Sequence, residues 1–195
     1  MTKWRHELPE RRLYNPRYTT WETISSHVMV DDSAAPPVST GYRATSATST
    51  TAFRVKVFDN GSTDIVYFDW ILPSELYIPD GIKVYIGWIP DTGWSSGDYY
   101  VALDTWFATR DGTATTSGAV ETQLNDTWTP PDGTTINETL LGTISPASTD
   151  EYANFRFLVY EPSTDADADF ALGWIRFEYT AWEDGREKHP SERIS

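Results

Sequence analysis

The chain has 195 residues, a formal net charge of −14, 14% aromatic residues and no cysteine. The missing cysteine excludes a disulfide framework, a thiolate nucleophile and a Cys-ligated zinc site, and the length sets the expectation of one domain with an appendage. Residues 1–30 hold five basic residues against three acidic ones while residues 31–182 hold seven against twenty-two, so the body is strongly acidic and no nucleic-acid partner is expected.

Residues 1–51 read as an extended N-terminal arm and linker. Met1 to Glu7 carries basic residues with no apolar segment behind them, so no secretory signal is expected. No apolar run anywhere approaches the ~20 residues a membrane-spanning helix needs, and no membrane partner is expected. Trp4, Leu8, Leu13, Tyr14, Tyr18, Trp21 and Ile24 follow no clean period, and Pro9 and Pro16 interrupt any helix. Such an apolar segment either packs back as a first strand of its own domain or orders against a partner. Being the one basic part of an acidic molecule favours the partner. Trp4, Arg5, Arg11, Arg12, Tyr14, Arg17, Tyr18 and Trp21 are therefore the expected anchor, attaching the chain to other subunits or knitting a homo-oligomer, a trimer by expectation. Asp31 to Thr40 is a linker by composition, followed by a stretch rich in Ser, Thr and Ala.

Residues 52–182 carry the pattern of an all-β antiparallel sandwich of about eight strands. Phe53, Val55 and Val57 alternate with Arg54 and Lys56, which predicts a strand with one solvated face. Asn60-Gly61 predicts a hairpin turn. Thr63 to Leu72 is apolar on nearly both faces, as in a central strand or one covered by the arm or a neighbour. After a corner at Pro73 to Gly81, Ile82, Val84, Ile86 and Trp88 point one way and Lys83, Tyr85 and Gly87 the other. Tyr99 to Thr109 is the next strand, and Val120 to Leu124 a short polar edge. Thr134 to Ile144, Tyr152 to Tyr160 and Phe170 to Trp182 complete the set, the last two read as a closing hairpin. Spacing and number point to a two-sheet jelly roll. Residues 183–195 form a charged tail.

Ile71-Leu72-Pro73, Tyr77-Ile78-Pro79-Asp80-Gly81, the strand from Ile82 to Trp88 and the final Gly173-Trp174-Ile175-Arg176-Phe177 resemble the jelly-roll domains of virion proteins of tailed viruses. The resemblance covers residues 52–182 and brings no catalytic residues. It implies a structural protein of a virus particle, a head decoration, minor capsid or tail component located in the virion, with other virion proteins as partners.

Candidate chemistry is sparse. His6, His27 and His189 lie outside the expected sandwich, and no Gly-x-Ser-x-Gly elbow or phosphate-binding Gly loop occurs, so no enzyme is expected. Asp165, Asp167 and Asp169 alternate in a loop, and three carboxylates on one face are candidate calcium ligands, with a solvated acidic tip as the plainer reading; no other cofactor is expected. Among nine tryptophans, Trp94 and Trp128 fall in or beside loops and are the candidates for stacking on sugar, which makes a lectin-like module the alternative function. Trp70, Trp88, Trp106 and Trp174 sit in strand patterns and read as core or subunit interface. Three Asn-x-Ser/Thr triplets, at Asn60, Asn125 and Asn137, match glycosylation sequons.

Overall fold

The structure is a computed structural model that describes residues 17–37, 39–44, 52–59, 63–90, 95–109, 120–131, 135–160 and 166–182. Eleven strands run through these residues: β1 (Arg17–Ser25), β2 (Val30–Asp31), β3 (Ser39–Ala44), β4 (Ala52–Phe58), β5 (Asp64–Ile71), β6 (Ile82–Pro90), β7 (Tyr99–Ala108), β8 (Thr122–Trp128), β9 (Asn137–Ile144), β10 (Tyr152–Tyr160) and β11 (Phe170–Trp182). No α-helix occurs among the described residues.

The strands form two antiparallel sheets, one in the order β3-β4-β11-β6-β9 with β1 also on β11, the other in the order β2-β5-β10-β7-β8. Taken alone, β4 to β11 divide into β4-β11-β6-β9 facing β5-β10-β7-β8. Two interleaved Greek keys of eight strands are the jelly roll. The eight strands expected over residues 52–182 are these eight.

The expectation that residues 1–51 form an arm separate from the sandwich is corrected for residues 17–44. β1 pairs with β11 over nine positions, from Arg17 opposite Trp182 to Ser25 opposite Trp174, on the side of β11 where β4 pairs only with Phe170–Leu172. The long last strand outruns β4, and β1 takes up the backbone groups left over. β2 then crosses to β5, and β3 pairs with β4. For the described residues from Arg17 onward, the first of the two fates open to this segment is thus the one taken.

Consecutive strands seldom pair. β10 and β11 lie in different sheets, so the expected closing hairpin is instead a crossover; β4 and β5 likewise part company around Asn60-Gly61, which lies outside the described residues. β5 is next to the edge rather than central, and β2 of the N-terminal segment covers it at Val66 and Tyr67, which meets in part the second of the two alternatives for this strand.

The core is aromatic and ordered along the sandwich. Trp70 stacks on Phe177 at 4.3 Å and 8°, and Phe68 on Phe155 at 4.8 Å and 13°. Further along, Trp88 stacks on Phe170 at 5.3 Å and on Trp128 at 5.4 Å. Such stacks add to the large apolar area each ring buries. In β11 the inward set changes from Phe170 and Leu172 to Ile175, Phe177 and Tyr179 because a bulge falls between Leu172 and Trp174. The additional residue, Gly173, resets the alternation.

Strand β4 faces opposite to expectation. Lys56 is buried with Phe58 on the inter-sheet side and forms an ion pair with Asp31 of β2, joining the two sheets. Val55 and Val57 pack outward with Ile89, Ala171 and Ile136 in a separate small apolar cluster.

Candidate functional site

Alternation along each strand of the β5-β10-β7-β8 sheet sends one set of side chains into the core and the other to the outer face. Register aligns that outer set into rows. Val30, Tyr67, Arg156, Asp104 and Gln123 form one row across all five strands. Asp69, Asn154 and Trp106 form the next, and Ile71, Tyr152 and Ala108 the one after.

The central row is tied together. Asp104 is fully buried, and its Oδ2 accepts hydrogen bonds from Arg156 Nη2 and Arg156 Nε, the latter at 2.9 Å. Gln123 Nε2 donates to Asp104 Oδ1 at 2.7 Å. Taking a carboxylate out of water is costly unless it is paired to this degree. The Arg156 guanidinium lies 5.6 Å from the Trp106 ring centroid, which turns an aromatic ring beside it. Burial works against the Arg156 charge, but hydrogen bonding and charge from Asp104 outweigh it and raise its pKa.

At the edge, Tyr67 Oη donates to Asp32 Oδ2 at 3.0 Å. Burial, then the Asp32 hydrogen bond, push the Tyr67 phenol up, so it remains a neutral donor. Asp32 also accepts from Ala34 N at 2.7 Å and Ala35 N at 3.2 Å, and these backbone bonds, Ala34 first, hold its carboxyl below the usual range. Fixed polar groups therefore alternate with Tyr67, Trp106 and Tyr152, while Asp69, Asn154, Gln123 and Asn125 stand exposed around them. A rigid face of this make-up offers aromatic surface to C–H groups and hydrogen bonds to hydroxyls.

The residues singled out from sequence fall elsewhere. Trp128 is buried against Trp88, its Nε1 donating to Asp126 at 2.9 Å; it is a core residue, and its place as an exposed stacking residue is corrected. The Pro130-Pro131 turn begins two residues later, so the indole belongs to the last inward position of β8. Trp94 lies outside the described residues, as do Trp4, Arg5, Arg11, Arg12, Tyr14 and Asp165. Arg17 packs within its own chain, 4.2 Å from the Tyr77 ring centroid and 5.6 Å from that of Trp182. Tyr18 and Trp21 are exposed on β1, Trp21 by 62%.

Asp167 is used as a loop clasp. Its Oδ1 accepts from Ser95 N at 2.8 Å and Ser96 N at 3.1 Å, and its Oδ2 accepts from Ser95 Oγ. The Ser95 hydroxyl, then the two backbone donors, lower its pKa to about 2. Tyr99 Oη donates to the carbonyls of Ala168 at 2.8 Å and Asp169 at 3.1 Å, which fixes the same segment. No cluster of three metal-ligating side chains occurs among the described residues.

Pattern alone reads Trp106 as core or interface and gives Asp104, Arg156 and Gln123 no role. The signal lay in Tyr99 to Thr109, where Asp104 and Trp106 alternate with Leu103, Thr105 and Phe107. Seeing it as a site needs the pairing of β7 with β10 and β8, which linear sequence does not display.

Solved structures that match most of this chain include two β-sandwich-sized domains. The CBM36-1 domain of a multidomain xylanase from the hindgut metagenome of Trinervitermes trinervoides matches with a TM-score of 0.40 and 9% identity over 81% of this chain and 96% of that one. TmCBM61, solved in complex with beta-1,4-galactotriose, matches with a TM-score of 0.39 and 12% identity over 84% of this chain and 88% of that one. No protein-family model and no curated protein sequence matches the chain. At such distances no residue or ligand transfers from either structure, and the site stands on its own geometry.

Proposed function

We propose that the protein is a non-catalytic, carbohydrate-binding sandwich domain whose binding surface is the outer face of the β5-β10-β7-β8 sheet. One observation carries the reading: the Tyr67–Arg156–Asp104–Gln123 row, with Trp106 beside the guanidinium. A jelly roll serves capsid and lectin domains alike, so fold alone does not choose between a virion role and sugar binding. The face does. A particle subunit has no need of a rigid row of donors and acceptors bordering an aromatic ring, whereas a hydroxyl-rich ligand with apolar C–H faces matches it.

Both Asp104 oxygens are engaged by Arg156 and Gln123, so this carboxylate supports the guanidinium. The face spans three strand spacings from β5 to β8, ~14 Å, enough for a short run of sugar units lying across the strands. The test is retention on a panel of immobilised polysaccharides in native affinity gels. Trp106→Ala and Asn154→Ala should each weaken retention at least about tenfold, the scale of losing one well-placed contact, with thermal midpoints close to that of the parent chain. Undiminished retention of both variants on every bound polysaccharide removes this face as the site.

A further inference from the structure

Three rows cross the outer face of the β5-β10-β7-β8 sheet, and their chemistry changes from one to the next. Tyr67, Arg156, Asp104 and Gln123 make the first, a run of polar groups in which Asp104 ties Arg156 to Gln123. Asp69, Asn154 and Trp106 make the second; its carboxylate and amide are exposed and its indole is half-buried. Ile71, Tyr152 and Ala108 make the third, which carries no charge. Ile71 is 70% exposed, and Tyr152 and Ala108 are half-buried beside it. Successive rows lie two residues apart along each strand, ~7 Å.

A lone exposed isoleucine is ordinary on a protein surface. Here its position is what counts. Its register partners on β10 and β7 extend it into an aliphatic and aromatic band, and that band runs parallel to the row of exposed hydrogen-bonding groups. A sugar chain lying across the strands along Asp69, Asn154 and Trp106 has both long edges within reach of the flanking rows. One edge meets the polar groups of the first row, which suit hydroxyls. The other meets Ile71, Tyr152 and Ala108. A hydroxyl pressed there gives up water and finds only the Tyr152 phenol in return. A methyl group placed on the same band gains about fourfold in affinity by leaving water.

A second copy of the chain is a poorer occupant. The band is two strand spacings wide, ~10 Å, and one residue deep, whereas a stable protein interface buries ~800 Å² on each partner. Asp69 stands beside the band on a body of net charge −14, so two copies repel as they approach. An uncharged polymer meets no such repulsion.

We infer that the ligand of this face is a neutral polysaccharide with methyl groups along one edge, carried as O-acetyl esters or as the methyl of 6-deoxy sugars. Such a ligand presupposes the carbohydrate-binding reading of the same face, to which it adds the class of glycan. The full chain and Ile71→Asn are compared in affinity gels on two matched pairs: an O-acetylated glucomannan before and after mild alkali, and a neutral rhamnan against a mannan. In the parent chain the methyl-bearing member of one pair is expected to be retained at least about fourfold more strongly. Preference within the first pair identifies the ester, and preference within the second the deoxy sugar. Ile71→Asn should bring the two members to within about twofold of each other, with its thermal midpoint near that of the parent. Should that variant lose stability, Ile71→Thr keeps a branched strand residue and gives the same readout. Equal retention within both pairs overturns the inference, as does a preference that survives both substitutions. If equal retention is still weakened by Trp106→Ala, the face binds sugar and only the methyl-bearing edge fails; if Trp106→Ala changes nothing, the face itself fails. A mass that doubles with concentration in light scattering, and returns to the monomer in Ile71→Asn, gives the band to a second copy and overturns the inference equally.

Discussion

At the scale of single residues, one glycine shows how far the first sheet depends on close approach. A Cβ added at Gly87 would lie 2.0 Å from Trp174 Cε2, and the indole is held over that strand by Trp174 Nε1 donating to Glu138 at 3.0 Å. Arg176 shares the same carboxylate, through Nη2 at 2.6 Å and Nε at 3.1 Å, and stands 4.1 Å over Tyr85. Gly87→Ala must therefore displace an indole wired into an ion-pair network. A loss of about 1–3 kcal/mol is expected from forcing a side chain into a packed position, read by urea denaturation. Combining it with Trp174→Ala should recover part of that loss, since the clash is then gone. Unchanged stability of the single variant means the ring moves freely. The alternation of Lys83, Tyr85 and Gly87 against Ile82, Val84 and Ile86 was legible in sequence; what covers the glycine was not, because Trp174 is a neighbour only by pairing. Trp128 failed for the converse reason. Its place beside a Pro-Pro turn suggested exposure, yet the last inward position of a strand is still core.

At the scale of elements, the N-terminal strands are fastened to the sandwich by polar clasps rather than by apolar bulk. β1 offers Ile24 to the core but shows mostly exposed side chains, and Glu22 reaches across to Trp70 and Tyr179. Burial, then the Glu22 charge, drive the Tyr179 phenol well above its usual range, so it stays a donor at any ordinary pH. β2 supplies Asp31 to Lys56, whose side chain is 5% exposed against 44% for Asp31. Removing the acid leaves an ammonium with no partner in a dry position, a large penalty in general, though the exposed partner admits solvent. Asp31→Ala should cost about 2–3 kcal/mol and lower the thermal midpoint. Lys56→Met, which removes the charge and keeps the stem, should cost less. Equal losses would mean that packing of the stem, not its charge, holds β2. Composition revealed Asp31 to Thr40 as linker-like and Lys56 as polar. It could not reveal that the two meet, because a lysine in an alternating strand ordinarily faces water and only the arrival of β2 makes the inward direction tolerable.

At the scale of the whole molecule, the net charge of −14 and the face of the β5-β10-β7-β8 sheet make different demands on ionic strength. Acidic groups crowded on one body repel one another, and salt screens that repulsion. The Arg156–Asp104 pair is screened less, because Asp104 is fully buried. Moving from low salt to about 0.5 M sodium chloride shortens the screening length to roughly 4 Å, so the thermal midpoint should rise by a few degrees. Ligand binding at the proposed face should behave otherwise. Among the described residues its one cation, Arg156, is already paired with Asp104, and Asp69 adds a negative charge nearby, so these residues offer no surplus positive charge with which to draw an anionic polymer. A neutral glycan held by hydrogen bonds and by Trp106 releases no counterions on binding, and its affinity should be constant across the same salt range. Parallel affinity gels with a neutral polysaccharide and with a uronic-acid polymer at low and high salt decide the matter. Retention of the neutral polymer alone, unmoved by salt, agrees with a hydroxyl-reading face. Retention of the charged polymer that fades as salt rises would place the binding site elsewhere, among the basic residues that precede β1.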